Sequence, residues 1–315
     1  MATQHSSGDL LADRRYRYAE ACLIDGDHAG AAELAEQALE IAPRYVPAWL
    51  ILGRAREGLA AQGGDPLLRA AATRAFACAL DIDPEDTLGA RAHLAHLGVD
   101  DSLPPLSPAY VRALFDGYAP SFERHLVDGL GYVGPDLVRA ALPSAPARFA
   151  AVLDLGCGTG LVGAAIRDRA AHLTGVDLSP GMLHVARAKS HAGRPLYDRL
   201  AEGDLVAFLG GEPPSSADLC VAADVLIYVA DLTPVLERVA RVLRPGGHAV
   251  FTVQSHDGDG SVLGADGRYA HADSRIAAVA SGAGLAIALL EAAHVRCEGG
   301  RAVPGRVVVL HRTPR

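Results

Sequence analysis

VLDLGCGTG, residues 152–160, decides how the second half of the chain folds. An apolar run, Val152 to Leu155, leads into Gly156, Gly158 and Gly160, and a helix follows. Glycine lets the backbone turn sharply here and lets a ligand pack against it with no Cβ in the way. Asp154 stands just before the turn.

Outward from this loop, short β-branched runs alternate with helical segments from about residue 148: AVLDL, HLTGVDL, DLCVAADV, HAVFTVQ, LAIALLE and RVVVLHR. The alternation predicts a Rossmann-like α/β domain over 148–315, its sheet doubly wound and mostly parallel. The second run ends in Asp177, where a carboxylate accepts both hydroxyls of a ribose. GDL (203–205) and VLRPGG (242–247) follow. Together these are marks of enzymes that use S-adenosylmethionine (SAM). There the D-x-G-x-G-x-G loop carries the amino-acid end of the cofactor, and a residue placed like Asp204 meets the adenine amino group. The residues expected to bind SAM are Asp154, Gly156, Cys157, Gly158, Gly160, Asp177, Leu178, Met182, Asp204, Leu205 and Asp224. Gly158 to Gly163 also satisfies the dinucleotide pattern G-x-G-x-x-G, which is weak when alone. A dinucleotide leaves Asp154, Asp204 and the RPGG turn unexplained, and a tight turn without a ligand explains less.

The first part of the chain has another character. Residues 14–97 are rich in Ala and Leu, with apolar positions at helical spacing. EQALEIAP, ending at Pro43, and ACALDIDP, ending at Pro84, carry Ala, Leu, Ile and Pro at the same relative places. Such prolines end one helix and aim the next. The pattern resembles the tetratricopeptide repeat (TPR), with Trp49, Leu52 and Gly53 at the W-x2-L-G start of a repeat. The second repeat exceeds the usual period, which places an insertion in AAQGGDP, expected as a loop at 60–66. A plain helical hairpin packed on the second domain is the alternative. Residues 1–13 are expected to be flexible. Pro104, Pro105 and Pro108 mark a linker over 98–108, and a lid-like helical segment follows over 109–147. Its stretch 109–130 places Val111, Leu114, Phe115 and Tyr118 on one helix face and is expected to cover the cofactor.

Bulk properties narrow the function. The chain has 315 residues, enough for two domains, half of them hydrophobic, so a sizeable core is expected. A net charge of −8 argues against a general nucleic-acid binder. No apolar run approaches the roughly 20 residues that span a bilayer, and the N-terminus lacks a secretory pattern; a soluble, cytoplasmic protein without membrane partners is expected. The five cysteines are scattered, with no C-x-x-C pair, which predicts reduced thiols. His93 and His96 lack a third ligand nearby, and no metal site is expected.

Taken with the glycine loop, three further stretches carry a resemblance. FDGYAPSFERHL (115–126) is similar to an F-D-x-Y-A-x-x-F-D-x-H-L element, with Glu123 where Asp is usual. VDLSPGML (176–183) matches a second-strand motif, and GRYAHADSRIAAVASGAGL (267–285) with RCEGGRAVPGRVVVLHR (296–312) matches a C-terminal signature. The chain resembles the bacterial TPR-containing, class I SAM-dependent methyltransferases over nearly its whole length. The resemblance implies methyl transfer and leaves the acceptor open.

Candidate acceptor-side residues follow from position. Asp224 and Tyr228 lie just beyond the fourth strand run, where an acceptor meets the methyl group, and Asp224 is equally a strand-end cap. The stretch lacks the N/D-P-P-Y/F pattern of base and amide N-methyltransferases, which favours O- or S-methylation. A hydroxyl or thiol acceptor benefits from a general base; the candidates are His125, His256 and His271, with Asp224 and Tyr228 beside them. Tyr118, Tyr228, Tyr269 and Arg275 are the candidate substrate contacts, and Arg296 is read as ion-paired sooner than substrate-bound. Aromatic packing and surface ion pairing are the plain alternatives for these side chains. Two functions stay open. One is methyl transfer to a small molecule or carrier-bound acid. The other is a protein target docked on the TPR-like part, or SAM binding without catalysis.

Overall fold

A computed structural model describes residues 6–99, 105–264 and 266–313. They form two compact units, one ending at Ala113 and one starting at Leu114. The boundary falls inside a helix, beyond the proline-rich stretch 98–108. Residues 100–104 of that expected linker lie outside the described residues.

The first unit is helical: α1 (Leu10–Ile24), α2 (His28–Ile41), α3 (Val46–Gly63), α4 (Pro66–Ile82), α5 (Ala90–His96) and the start of α6 (Pro108–Tyr118). The first five pack in succession, each on the next. Close approach rests on alanine: Ala19, Ala35, Ala38, Ala48 and Ala75 are fully buried. The ring of Phe76 fills the space beside Gly53, where a Cβ would come within 2.4 Å of it. Carboxylates cap the helix starts, Asp27 accepting from Gly30 N (2.9 Å) and Asp65 from Leu67 N (2.8 Å). The indole of Trp49 donates to Pro43 O (2.9 Å), tying the start of α3 to the turn before it. Two sequence expectations are corrected. AAQGGDP is not a loop: α3 continues to Gly63, and only Gly64, in the left-handed region at φ 66°, and Asp65 separate it from α4. Ala and Gln are good helix formers, so the extra residues lengthen α3. The described part of 1–13 is also held, because Ser6 Oγ and Ser7 N both donate to Asp13 and α1 starts at Leu10; residues 1–5 lie outside the described set.

The second unit is a three-layer α/β sandwich. Its strands are β1 (Phe149–Leu155), β2 (Ala170–Asp177), β3 (Ser190–His191), β4 (Arg194–Pro195), β5 (Arg199–Glu202), β6 (Ala217–Ala222), β7 (Leu243–Ser255), β8 (Ser261–Leu263), β9 (Tyr269–His271), β10 (Leu285–Glu298) and β11 (Arg301–Arg312). Its helices are α7 (Gly134–Ala141), α8 (Leu161–Ile166), α9 (Pro180–Ala188), α10 (Leu205–Gly211), α11 (Thr233–Val242) and α12 (Asp273–Gly282). The main sheet runs β10-β11-β7-β6-β1-β2-β5; β11 is antiparallel to both its neighbours and the other pairs are parallel. Side chains alternate between the two faces. Cys220 and Ala222 of β6, with Phe251 and Val253 of β7, pack under α10, α11 and α12. Leu219 and Val221 of β6, with Val250 of β7, pack under α7, α8 and α9. Strand order reverses at β1, so the crevice beyond the ends of β1 and β6 is the topological switch point, where such sheets bind ligands.

The RPGG stretch is a bulge inside β7, where the register with β6 shifts between Ala217 and Leu219 and Gly246 takes φ 79°. One further expectation changes. The segment 109–130 is not one helix. It ends at Tyr118, just before Ala119-Pro120, and resumes as a π-helical turn over Arg124–Gly129, because Pro120 cannot supply the next backbone hydrogen bond. Among the described residues no helix is long and apolar enough to cross a membrane.

Phe76 is the largest fully buried side chain of the helical unit. Phe76→Ala is expected to destabilise that unit by about 3–5 kcal/mol. Urea unfolding of the full chain, followed by circular dichroism, measures it; a loss below about 1 kcal/mol, the range of a volume-conserving swap, would show that α4 does not depend on this contact.

Candidate functional site

The glycine loop emerges from β1 with Gly156, Gly158 and Gly160 all in the left-handed region, at φ 66°, 53° and 95°. The structure separates their roles. A Cβ on Gly156 would strike Val225, and one on Gly160 would press tightly on Leu196 and Tyr197, at 3.0 and 3.1 Å. Gly158 is less crowded: an added Cβ would make one ordinary van der Waals contact, with the Phe122 ring at 3.9 Å. So Gly156 and Gly160 are packed closely against protein, and Gly158 is the least crowded of the three. Gly163, the last glycine of the dinucleotide pattern, is also a packing slot: a Cβ there would lie 2.3 Å from the Tyr197 hydroxyl.

Tyr197 was not legible as a functional residue. It lies between β4 and β5, outside any motif, yet its hydroxyl donates to Asp154 Oδ2 at 2.6 Å. Asp154 is buried beneath the loop, and its Oδ1 has no hydrogen-bond partner among the described residues. Burial pushes its carboxyl up to about 7, against the Tyr197 hydrogen bond, which favours the ionised form. Cys157 is buried beside it, with its N–H bonded to Val176 O (2.9 Å), and burial raises its thiol well above the usual range.

Asp177 ends β2 facing the loop. Its Oδ2 accepts from Gly158 N (2.8 Å) and its Oδ1 from Ser179 N (2.9 Å). Burial raises its pKa and these two N–H groups oppose the rise. The carboxylate therefore braces the loop and keeps lone pairs for a diol. Leu178 follows it, Met182 is buried in the first turn of α9, and Leu205 is buried at the start of α10. Asp204 is the N-cap of α10, its Oδ1 accepting from Val206 N and Ala207 N. These residues fit SAM: a Cβ-free approach at Gly158, a diol acceptor at Asp177, and an unsatisfied carboxylate oxygen beside the loop.

Beyond β6 lies a buried charge cluster. Asp224 adopts φ 59°, a conformation that costs a residue with a side chain about 1–3 kcal/mol. It is held there by its N–H to Thr252 Oγ1 (2.9 Å) and by Arg296, which donates to its Oδ1 at 2.6 Å. Arg296, 1% exposed, also donates to Gln254 Oε1 (3.0 Å) and Glu298 Oε1 (2.9 Å). Arg268 pairs with the same Glu298 and reaches the Tyr228 hydroxyl at 3.5 Å. Tyr132 lies near both acids; burial first, then Asp224 and Asp154, push its phenol well above its usual range.

Facing this cluster is an aromatic group from the 115–126 element. Phe115 meets Tyr228 edge-on at 5.2 Å, and Phe122 meets Tyr118 edge-on at 5.3 Å. The Tyr118 hydroxyl bonds His125 Nδ1 at the surface. The other candidates sit differently. His271 is fully buried, with Nδ1 on Ser261 Oγ (2.8 Å) and Nε2 on Leu226 O (3.1 Å), and burial lowers its pKa. His256 is bonded within its own loop, to Gly258 N and Gly260 O. Tyr269 is buried in β9, and Arg275 forms a surface pair with Asp231 at 2.8 Å. The structure thus gathers Tyr118, Asp224 and Tyr228 and leaves Arg275 outside. Phe115 joins them from the helix face expected to cover the cofactor, and Phe122, Tyr132, Tyr197, Gln254, Arg268 and Glu298 join without having been singled out.

Residues 153–251 match the family model described as a methyltransferase domain. They form a class I SAM-dependent methyltransferase domain. Among curated proteins, the malonyl-[acyl-carrier protein] O-methyltransferase of Enterobacter lignolyticus is 33% identical over 157 residues, 49% of this chain and 57% of that protein. The ubiquinone biosynthesis O-methyltransferase of Idiomarina loihiensis is 34% identical over 115 residues, 36% of this chain and 46% of that protein. The chain therefore spans about half the length of these relatives. Among solved structures, the 1,6-didemethyltoxoflavin-N1-methyltransferase of Burkholderia thailandensis superposes with a TM-score of 0.52 at 19% identity, covering 69% of this chain and 94% of that one. That likeness is one of fold. The matched segment of the methyltransferase domain holds the glycine loop, Asp177, Tyr197 and Asp224; the 115–126 element and Arg296 lie outside it.

The buried acid of the methyltransferase domain gives its stability a pH dependence. Folding lifts the Asp154 pKa from 3.8 to about 7, so the folded chain holds a proton that the unfolded chain gives up. Its contribution is complete below the unfolded value and is lost as pH rises towards the folded one, by at most about tenfold in the folding constant per pH unit. Asp154→Asn is expected to remove that slope, measured by denaturant unfolding between about pH 4.5 and 7.5. A variant that keeps the wild-type slope would assign the slope to another group.

Proposed function

We propose that this chain is a SAM-dependent methyltransferase acting on an oxygen or sulfur of a small molecule or carrier-bound acid. The observation that carries this is the pairing of an uncrowded Gly158 with the braced Asp177 carboxylate at the switch point of the sheet. The O-methyltransferase names of the curated relatives support an oxygen acceptor. SAM supplies a methyl group on a sulfonium, open to in-line displacement by a nucleophile. The residues of the chain bind and orient. Asp177 takes the ribose, and the loop over Gly156–Gly160 takes the amino-acid end. Phe115, Tyr118, Phe122 and Tyr228 exclude water from the acceptor side, where a dry, oriented pair reacts faster. Asp224 fixes the floor opposite them, its strained backbone held by Thr252 and Arg296.

A hydroxyl acceptor must lose a proton, and His125 with its Tyr118 partner is the base the geometry favours. His256 and His271 have both ring nitrogens engaged within the fold. With a hydroxyl acceptor, His125→Ala is expected to lower turnover by roughly 10²–10⁴-fold at unchanged SAM affinity. His256→Ala should leave turnover within a few-fold. With a carboxylate acceptor, ionised at neutral pH, no base is needed and His125→Ala should retain most activity. Full turnover of His125→Ala on an established hydroxyl acceptor would remove it from the mechanism.

The cofactor assignment has its own test. Asp177→Ala removes the ribose acceptor and releases Gly158 N, and is expected to weaken SAM binding by about 1–3 kcal/mol. Titration calorimetry on the purified chain measures this, and tight NADH binding without SAM binding would overturn the assignment.

A second reading, a protein target docked on the TPR-like helices, has one observation in its favour. α1 exposes Leu10, Tyr18 and Ile24, at 89%, 52% and 80%. Changing Leu10 and Ile24 to Glu is expected to raise KM for a protein acceptor and to leave KM for a small molecule unchanged.

A further inference from the structure

The element FDGYAPSFERHL carries two carboxylates that the acceptor chemistry does not use, Asp116 and Glu123. Both reach across to the rim of the cofactor site. Asp116 Oδ1 accepts from Ser179 Oγ at 2.6 Å and from Gly181 N at 3.0 Å. Ser179 is the residue whose N–H is bonded to Asp177, so the aromatic segment and the ribose acceptor grip the same turn from two sides. Glu123 Oε1 accepts from Lys189 Nζ at 2.5 Å, at the far end of α9. Between these two anchors the Phe122 ring lies against Gly158, the least crowded glycine of the loop.

The fit at the Asp116 end is tight. A Cβ on Gly181 would come to 3.2 Å from Asp116 Oδ1, 3.3 Å from Ala119 Cβ and 3.4 Å from the Asp116 carbonyl. The segment therefore sits directly on the start of α9, and a methyl group there would require it to give by a few tenths of an ångström. The two anchors differ in strength. Asp116 makes two part-buried bonds, one of them to a backbone N–H, whereas the Glu123–Lys189 pair is partly exposed and worth less. Aspartate is usual at position 123 of the resembling element. The longer arm of glutamate is what meets Lys189 here.

We propose that Asp116 and Glu123 are positioning residues that latch the aromatic segment over the cofactor site, and that cofactor enters and leaves only when both have let go. The inference rests on the assignment of that site to SAM. A gate of this kind has a kinetic signature. Weakening the latch raises the rates of entry and of departure together, so affinity changes less than either rate. Loss of ordinary binding contacts raises the departure rate alone.

The test uses the full-length chain and S-adenosylhomocysteine as the probe, with no acceptor present. Association and dissociation are followed by stopped-flow quenching of tyrosine fluorescence, and equilibrium binding by calorimetry. Asp116→Ala is expected to raise both rates roughly 10- to 100-fold, the scale of hydrogen bonds to a charged acceptor. Glu123→Gln is expected to raise both about two- to five-fold, the scale of an exposed ion pair. Gly181→Ala, which leaves both carboxylates in place, should raise both rates as well, and it decides the matter if Asp116→Ala folds poorly. Rates unchanged in Gly181→Ala and Asp116→Ala, or a rise in dissociation alone, would overturn the latch. Absence of S-adenosylhomocysteine binding to the wild-type chain is a separate result that overturns the cofactor assignment beneath it.

Discussion

The hydrogen bond from the Tyr197 hydroxyl to Asp154, 2.6 Å long and buried, holds the loop geometry on which the site depends. The phenol fills the space left by Gly160, Gly163 and Gly175, so it lies between α8 and the face of the sheet at β2. Its hydroxyl then satisfies one oxygen of a carboxylate that would otherwise be expensive to bury. The glycines are thus needed as much by the protein as by a ligand. The cost of this arrangement is a carboxyl pushed up to about 7, a form of instability often found where a site is preorganised.

Around that centre, charge is distributed so that acids hold backbone and arginines hold acids. Asp177 accepts from the N–H groups of Gly158 and Ser179, and Asp116 from Gly181. Arg296 spreads its donors over Asp224, Gln254 and Glu298 at the ends of β6, β7 and β10. An arginine suits this role because its planar fork offers several donors in fixed directions. The left-handed backbone at Asp224 persists because this network and Thr252 over-determine it. The resembling C-terminal signature and the residues after β6 therefore belong to one structure, a rigid floor facing the aromatic segment.

The aromatic segment owes its shape to a single imino acid. A continuous helix over 109–130 would have spread Phe115, Tyr118 and Phe122 along one axis. Pro120 interrupts it, and the chain folds so that the three rings cluster with Tyr228. Edge-on contacts of this kind hold rings in place and bury apolar surface without demanding a flat stack. The break also brings Asp116 and Glu123 to opposite ends of α9.

What the amino-acid sequence determined by itself is local and periodic. The six strand runs, the glycine loop, Asp154 and Asp177 at strand ends, and the helices before Pro43 and Pro84 were all legible, because alternation and turn chemistry act between near neighbours. Tertiary structure decided the rest. Tyr197 meets Asp154, and Arg296 meets Asp224, across separations that no short-range pattern records. His271 matched a motif and became a buried bracket between β8 and the turn after β6, while Asp116 drew no notice and anchors the segment over the loop. Composition marks which residues can carry charge or donate a proton, but only packing chooses their partners, because burial sets the cost of leaving any of them unpaired.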